Sequence, residues 1–329
     1  MKLKTLTILA SSMIFASISL FATTTLKVTL QLPLTHSLGE NWTQFKNIVE
    51  KESQGDIKVL IFPSAQLYKD KQVPQAVGSG AIEAGSAFIG RFAGSVPSVD
   101  VVSIPFLFKN TKQLTNAVSN GSKMRNIIDA RILDETGAKV LWWQAFGRNV
   151  YLNNDKAVIV PSDLKGKKIR SYGKIQGWTA QEIGAVPTLM SGSKQFLAYQ
   201  QGTVDAGMTG LSAVKSRKLY EVMKHVTVTG DSAIEFVAII NNKVFEGLSS
   251  KNKEIVLNAA SKVEKALRTK VYSNEDAVAK ELEKKMTVTR LSDSQRAIWE
   301  KQTIGVRNKF IKNVGKIGQD VVNAATMAN

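Results

Sequence analysis

Hydrophobic positions along this chain change their period repeatedly, and the changes mark out alternating strands and helices. From Leu26 to Leu30 apolar and polar residues alternate, the pattern of a strand with one buried face. From Leu38 to Lys51, Trp42, Phe45, Ile48 and Val49 recur at helical spacing, and Gly55 then stops the run. Ile57–Phe62 predicts a second strand. Val73, Ala76 and Val77 predict a short helix closed by Gly78 and Gly80, and Ile82–Phe88 a third strand. After Arg131 the rhythm resumes. Ala138–Trp143 and Asn149–Asn153 predict two apolar strands, Pro161–Leu164 a turn, and Lys168–Ser171 a further strand. Helices are expected over Gly177–Ile183 and Ser193–Gln201, separated by Gly184 and Pro187, before a strand over Val204–Thr209. Ala233–Asn241 is one long extended run, suited to crossing between two lobes. From Ser250 the chain turns helical and charged. Ser292 with Gln295 makes a capping box, and Phe310, Val314, Ile317 and Val321 form one stripe of a long helix.

Strand–helix–strand succession over this length argues for an α/β fold with sheets covered by helices. Two lobes joined by several crossings fit the order of segments better than two domains in tandem. The expected division is residues 23–145 plus 237–276 for the first lobe and 146–236 plus 277–296 for the second. Residues 297–329 are expected as a C-terminal helix packing across both. The first 22 residues stand apart. Lys2 and Lys4 precede an almost uncharged stretch from Leu6 to Phe21, and Ala22 supplies a small residue for cleavage, so the segment is expected to be a secretory signal. A membrane anchor is the competing reading, because the run is close to a spanning length.

Composition removes a good deal of chemistry. The chain has 329 residues, no Cys and two His, which excludes disulfides, thiolate zinc sites and a Cys nucleophile, and makes a His-based metal cluster improbable. No cofactor is expected. Gly78-Ser79-Gly80 lies between a helix and a strand, the reverse of the order that dinucleotide binding needs. Gly192-Ser193 lacks the surroundings of a nucleophile elbow. His225 is expected at a helix end with no chemical role. The formal net charge of +17 raises nucleic acid as a partner. Its lysines are spread along the chain without interleaved aromatics, so nucleic acid is not expected.

Arg148, in Ala145-Phe146-Gly147-Arg148-Asn149, and Arg170, in Lys167-Lys168-Ile169-Arg170-Ser171, sit beside apolar strands rather than in solvated runs. A guanidinium in a partly dry cleft needs an anion, and its fork matches a carboxylate bidentately. From spacing alone a structural salt bridge is the default for each.

Several ordered blocks then carry a resemblance. They are Phe62-Pro63-Ser64-Ala65-Gln66-Leu67, Gly80-Ala81-Ile82-Glu83-Ala84-Gly85 and Ile104-Pro105-Phe106-Leu107-Phe108. Leu164-Lys165-Gly166-Lys167-Lys168-Ile169-Arg170, Gly184-Ala185-Val186-Pro187 and Gln201-Gly202-Thr203-Val204-Asp205-Ala206 follow. With them, essentially the whole mature chain resembles the solute-binding proteins of tripartite ATP-independent periplasmic (TRAP) transporters, the dicarboxylate-binding family.

The resemblance implies a two-lobed binding-protein fold, with a sheet in each lobe and a long C-terminal helix. It implies capture of an organic acid, C4-dicarboxylate-like, by lobe closure, and delivery to membrane permease subunits. No enzymatic activity is implied; the protein would be a periplasmic monomer. Sugar acids, aromatic acids and sulfonates are alternative ligands, and a secreted hydrolase or a polyanion-binding surface protein are the competing classes. Arg170 matches the arginine that pairs with the ligand carboxylate, and Arg148 a second arginine that meets the anion. Where relatives carry Glu-Asn-Pro this chain has Met208-Thr209-Gly210, and Thr209 offers one hydroxyl in place of an amide. Strand ends are where ligands sit in α/β sheets. This adds Gln31, His36, Phe88 and Arg91 in the first lobe, and Gly192 and Phe236 in the second.

Overall fold

The computed structural model describes residues 23–328; the expected signal, residues 1–22, lies outside them. The chain begins with β1 (Thr24–Thr29), α1 (Ser37–Glu52) and β2 (Ile57–Phe62), with β2 parallel to β1. Alternation buries Leu26 and Val28 under α1, whose Trp42 and Phe45 pack edge-on at 5.5 Å. Next come α2 (Val73–Gly78) and β3 (Ala84–Phe88), the latter parallel to β1. After 3-10 turns, α3 (Thr111–Val118) and α4 (Lys123–Thr136) follow, and Gly137 at φ 72° closes α4.

The chain then enters β4 (Ala138–Asn153), a single strand of 16 residues. Two strands are predicted in this interval, and the reason for the difference lies at Gly147. Its φ of +117° belongs to a bulge in the pairing with a later strand, and the bulge bends β4 without ending it. Beyond β4 lie β5 (Lys168–Ser171), α5 (Lys174–Glu182), β6 (Val186–Leu189) and α6 (Gln195–Gln200). They are followed by β7 (Ala206–Gly210), α7 (Leu211–Ser216) and β8 (His225–Val228). His225 therefore opens a strand, paired with Asn153 of β4, and does not end a helix.

β9 (Ala233–Asn241) coincides with the expected crossing. It runs antiparallel between β3 and β4. After it come α8 (Asn242–Glu246), α9 (Ser250–Leu282), β10 (Thr287–Arg290), α10 (Asp293–Val314) and α11 (Lys316–Thr326). The capping box at Ser292 and Gln295 starts α10. The single long C-terminal helix is in fact two, because Gly315 adopts φ 73°, ψ −146° and lets α11 fold back onto α10, α3 and α4. α9 runs unbroken through residues 276 and 277, packing on α1 and β4 and then on α7. Among the described residues no helix is long and apolar enough to cross a membrane.

The strands are hydrogen-bonded in the order β2-β1-β3-β9-β4-β7-β5-β6, with β8 on β4 and β10 on β8. β2-β1-β3 are mutually parallel at one end and β7-β5-β6 at the other, while β4 and β9 join the two halves. This is the architecture of two α/β lobes with a shared pair of long strands. The C-terminal ends of β1, β3, β5 and β7 all approach one cleft between them, the position where α/β sheets bind ligands.

Candidate functional site

That cleft is lined by residues of both halves and leaves about 30 Å³ of cavity between them in this closed form. From the first come Gln31 and Leu32 after β1, Asp70, Phe88 ending β3, and Arg91. From the second come Arg170 of β5, Tyr172, Gly192, Gln195, Thr209 of β7 and Arg217 beyond α7. Phe146 on β4 and Ile234 and Phe236 on β9 form its floor. Contacts across the cleft hold it closed: Ser191 Oγ donates to Gln31 Oε1 at 3.2 Å, and Phe88 meets Tyr172 edge-on at 5.2 Å.

Arg170 is 3% exposed, and its partners are all main-chain carbonyls. Nε and Nη2 donate to the Met190 carbonyl at 3.2 and 3.0 Å, and Nη1 donates to the Met208 carbonyl at 2.5 Å. A guanidinium has five N–H groups. One therefore remains on each terminal nitrogen, the pair that grips a carboxylate end-on. The head lies 5.4 Å from the Tyr172 ring centroid. Burial pulls its pKa below the ordinary arginine value, and the nearby Asp70 carboxylate, already paired with Arg91, only partly offsets the loss of water.

The other two cations differ from it. Arg91 Nε is paired with Asp70 Oδ2, while Asp70 Oδ1 accepts the Phe88 N–H at 3.1 Å, so that pair is neutralised within the wall. Arg217 has a buried Nη2 with no hydrogen-bond partner among the described residues. Burial, then the charge of Arg170, pushes its pKa down to about 10. Asp70 is the one carboxylate in this lining. The cavity thus carries a positive excess around a largely apolar floor.

Seven of the nine residues nominated from sequence come together here: Gln31, Phe88, Arg91, Arg170, Gly192, Thr209 and Phe236. Arg148 does not join them. The bulge at Gly147 re-aims the strand, so Phe146 enters the cleft and Arg148 turns to a separate cavity with Thr111, Asp231 and Arg296. There its Nη1 lies 3.4 Å from Glu275 Oε2 and its Nη2 donates to Thr111 Oγ1. His36 is also outside. It caps α1, Nδ1 accepting the Leu38 N–H at 3.0 Å, and its ring stacks at 5.1 Å on the outer side of Phe146. Burial, with Arg217 nearby, lowers its pKa to about 3, so the imidazole is neutral.

Asp70, Tyr172, Gln195 and Arg217 are the polar wall residues that sequence reasoning missed, alongside the apolar Leu32, Phe146, Ala213 and Ile234. Arg217 sits in the basic run Lys215-Ser216-Arg217-Lys218 and looks solvated there. The signal that points to it is position, one short helix past the end of β7. Among the described residues there is no group of three or more His, Asp or Glu that could hold a metal ion.

Residues 30–313 match the family described as bacterial extracellular solute-binding protein, family 7. The chain belongs to this family. A solute-binding protein of Verminephrobacter eiseniae is 30% identical over 85% of this chain and 83% of its own length. The C4-dicarboxylate-binding periplasmic protein DctP of Rhodobacter capsulatus is 26% identical over 88% of this chain and 86% of its own. A TRAP periplasmic solute-binding protein of Ralstonia eutropha superposes with a TM-score of 0.85 at 26% identity, covering 92% of this chain and 98% of that one. Members of this family are transport receptors, and several relatives are named as periplasmic binding proteins.

Proposed function

We propose that this chain captures a small organic anion in the periplasm by closing its two lobes and delivers it to the membrane subunits of a TRAP permease. The observation that carries this reading is Arg170: a buried guanidinium, bonded only to carbonyls, with two N–H groups left at the cleft between the lobes. A buried charge without a countercharge costs several kcal/mol, so an anion that enters gains what the protein has left unpaired. Gln31 and Ser191 close over it from opposite lobes; contacts made only in the closed form shift the population towards closure. Thr209 adds one hydroxyl and Phe88 and Phe236 exclude water. The division of the chain into the two lobes given above, a signal at residues 1–22 and a monomeric state belong to the same reading. Relatives support the ligand class: one is named for C4-dicarboxylates, and the Ralstonia eutropha protein holds (S)-2-acetolactate.

The test is a thermal-shift screen of residues 23–329 against carboxylic acids, sugar acids and sulfonates, followed by calorimetric titration. A ligand at 100 times its dissociation constant stabilises by about 2.7 kcal/mol. Silence across all three classes would overturn the proposal.

A further inference from the structure

We propose that Arg217 is a second anion-holding residue of this cavity, and that the ligand it selects carries two negative charges. The proposal rests on the organic-anion reading of Arg170 and adds the charge of the ligand to it. Family membership leaves that charge open, since relatives are named for dicarboxylates in one case and hold a 2-hydroxy monoacid in another.

Three guanidiniums and one carboxylate line the cavity. Arg91 is matched by Asp70, so two positive charges remain. A monoanion on Arg170 would still leave Arg217 unmatched in this lining, with its Nη2 buried and without a partner among the described residues. A buried donor of that kind recovers its desolvation cost only from an acceptor inside the cavity. Arg217 is anchored independently of Arg170: one extends from β5, the other from the C-terminal end of α7, where its N–H bonds the Ala213 carbonyl. The second anion would also have neighbours ready. A Cβ built on Gly192 would stand 3.4 Å from both Arg217 Nη2 and Gln31 Nε2, so two donors flank one small space that glycine keeps open. Like-charge repulsion between Arg170 and Arg217, which adds to burial in depressing the Arg217 pKa, is relieved by a ligand that brings a carboxylate to each.

Calorimetric titration with malonate, succinate and glutarate, and with the monoanions of equal carbon number, tests this on the mature chain and three variants. Wild type is expected to prefer one dianion over its matched monoanion by at least about tenfold. Arg217→Gln should lower the affinity for that dianion by about tenfold to a hundredfold while leaving the monoanion within about threefold. Arg217→Lys keeps the charge without the fork and should fall between. Arg170→Ala should abolish binding of both. Equal loss of dianion and monoanion in Arg217→Gln overturns the proposal, as does a wild type that binds monoanions with no preference for dianions; both leave the Arg170 reading standing. A wild type that binds neither class overturns the Arg170 reading, and this inference with it. The unliganded Arg217→Gln protein should melt no lower than wild type, because it loses an unmatched charge. A clear drop, with dianion preference retained in Arg217→Lys and Arg217→Gln alike, assigns Arg217 to the scaffold and overturns the proposal.

Discussion

Buried arginine heads occur in two regions of this molecule and, the Arg91–Asp70 pair of the cleft wall aside, the two sets are satisfied in opposite ways. Against α9, Arg268 is held by both oxygens of Glu235 at 2.7 and 2.9 Å, and Arg125 meets Asp129 at 3.0 Å and Glu264 at 2.5 Å. In the cleft, Arg170 meets carbonyls alone and the half-buried Arg217 keeps one buried nitrogen with no partner among the described residues. Burial does not distinguish them: Arg268, Arg125 and Arg170 are 7%, 2% and 3% exposed. Countercharge does. An arginine that the chain has already neutralised belongs to the scaffold, whereas one left charged in a cavity is poised for something from outside.

The largest effect expected from this contrast is on folding. Arg268→Ala strands the fully buried Glu235 carboxylate, and breaking a buried pair from one side costs about 3–5 kcal/mol. Urea unfolding should register that loss, with ligand preference unchanged in whatever protein remains folded. Replacing both partners, Arg268→Met with Glu235→Leu, should recover most of it, since no uncompensated charge is then left. A double variant as unstable as the single one would break the comparison on the scaffold side.

The cleft side is tested by Arg170. Arg170→Lys retains the charge but not the fork, and organic-acid affinity should fall about tenfold to a hundredfold; Arg170→Ala should cost more. The unliganded variants should melt closer to wild type than Arg268→Ala does, because the lost bonds run to carbonyls and not to a carboxylate. Intact affinity in a strongly destabilised Arg170→Ala protein would move this residue to the scaffold class.

How much of this was legible in the sequence follows from which interactions are local. β1, α1, β2 and β9 were readable because their periodicity reports a buried face directly. Arg170 was reachable through a block of neighbouring residues. The join within β4 was not, because Gly147 breaks a strand or bulges it according to whether a partner strand continues alongside, and that partner, β9, lies some 90 residues later. The same long-range pairing decides that Phe146, and not Arg148, faces the cleft. Arg217 was hidden for a related reason: its basic neighbours mimic a solvated run, and only the packing of α7 between β4 and α9 turns it inward.

His36 provides a pH-dependent contrast between a capping residue and the site it borders. The unfolded imidazole takes up a proton near pH 6.5, the folded one only near pH 3. Between those values the unfolded state binds more protons, so stability falls as pH drops through the window. The slope is about 1.4 kcal/mol per pH unit for one such group. His36→Asn keeps an N-cap acceptor for the Leu38 N–H but cannot titrate. Its stability should therefore decline less than wild type's between pH 6.5 and 5, a difference of about 2 kcal/mol. Parallel acid limbs in the two proteins would mean that the imidazole is protonated in the folded state.

The smallest effect is expected at Arg148, the residue for which the family resemblance and the fold disagree. Its side chain is 39% exposed, and its contact with Glu275 spans 3.4 Å, so screening by water holds that pair to below about 1 kcal/mol. Glu275 also accepts the Arg148 main-chain N–H at 2.8 Å, a bond that survives truncation of the side chain. Arg148→Ala should thus lower the melting temperature slightly and leave organic-acid affinity within about twofold, a change too small to represent a lost charge-assisted bond. A tenfold loss measured by the same titration would put Arg148 back beside Arg170 on the anion. The cleft would then have to rearrange around β4 on binding, because the bulge at Gly147 turns that side chain away in the closed form seen here.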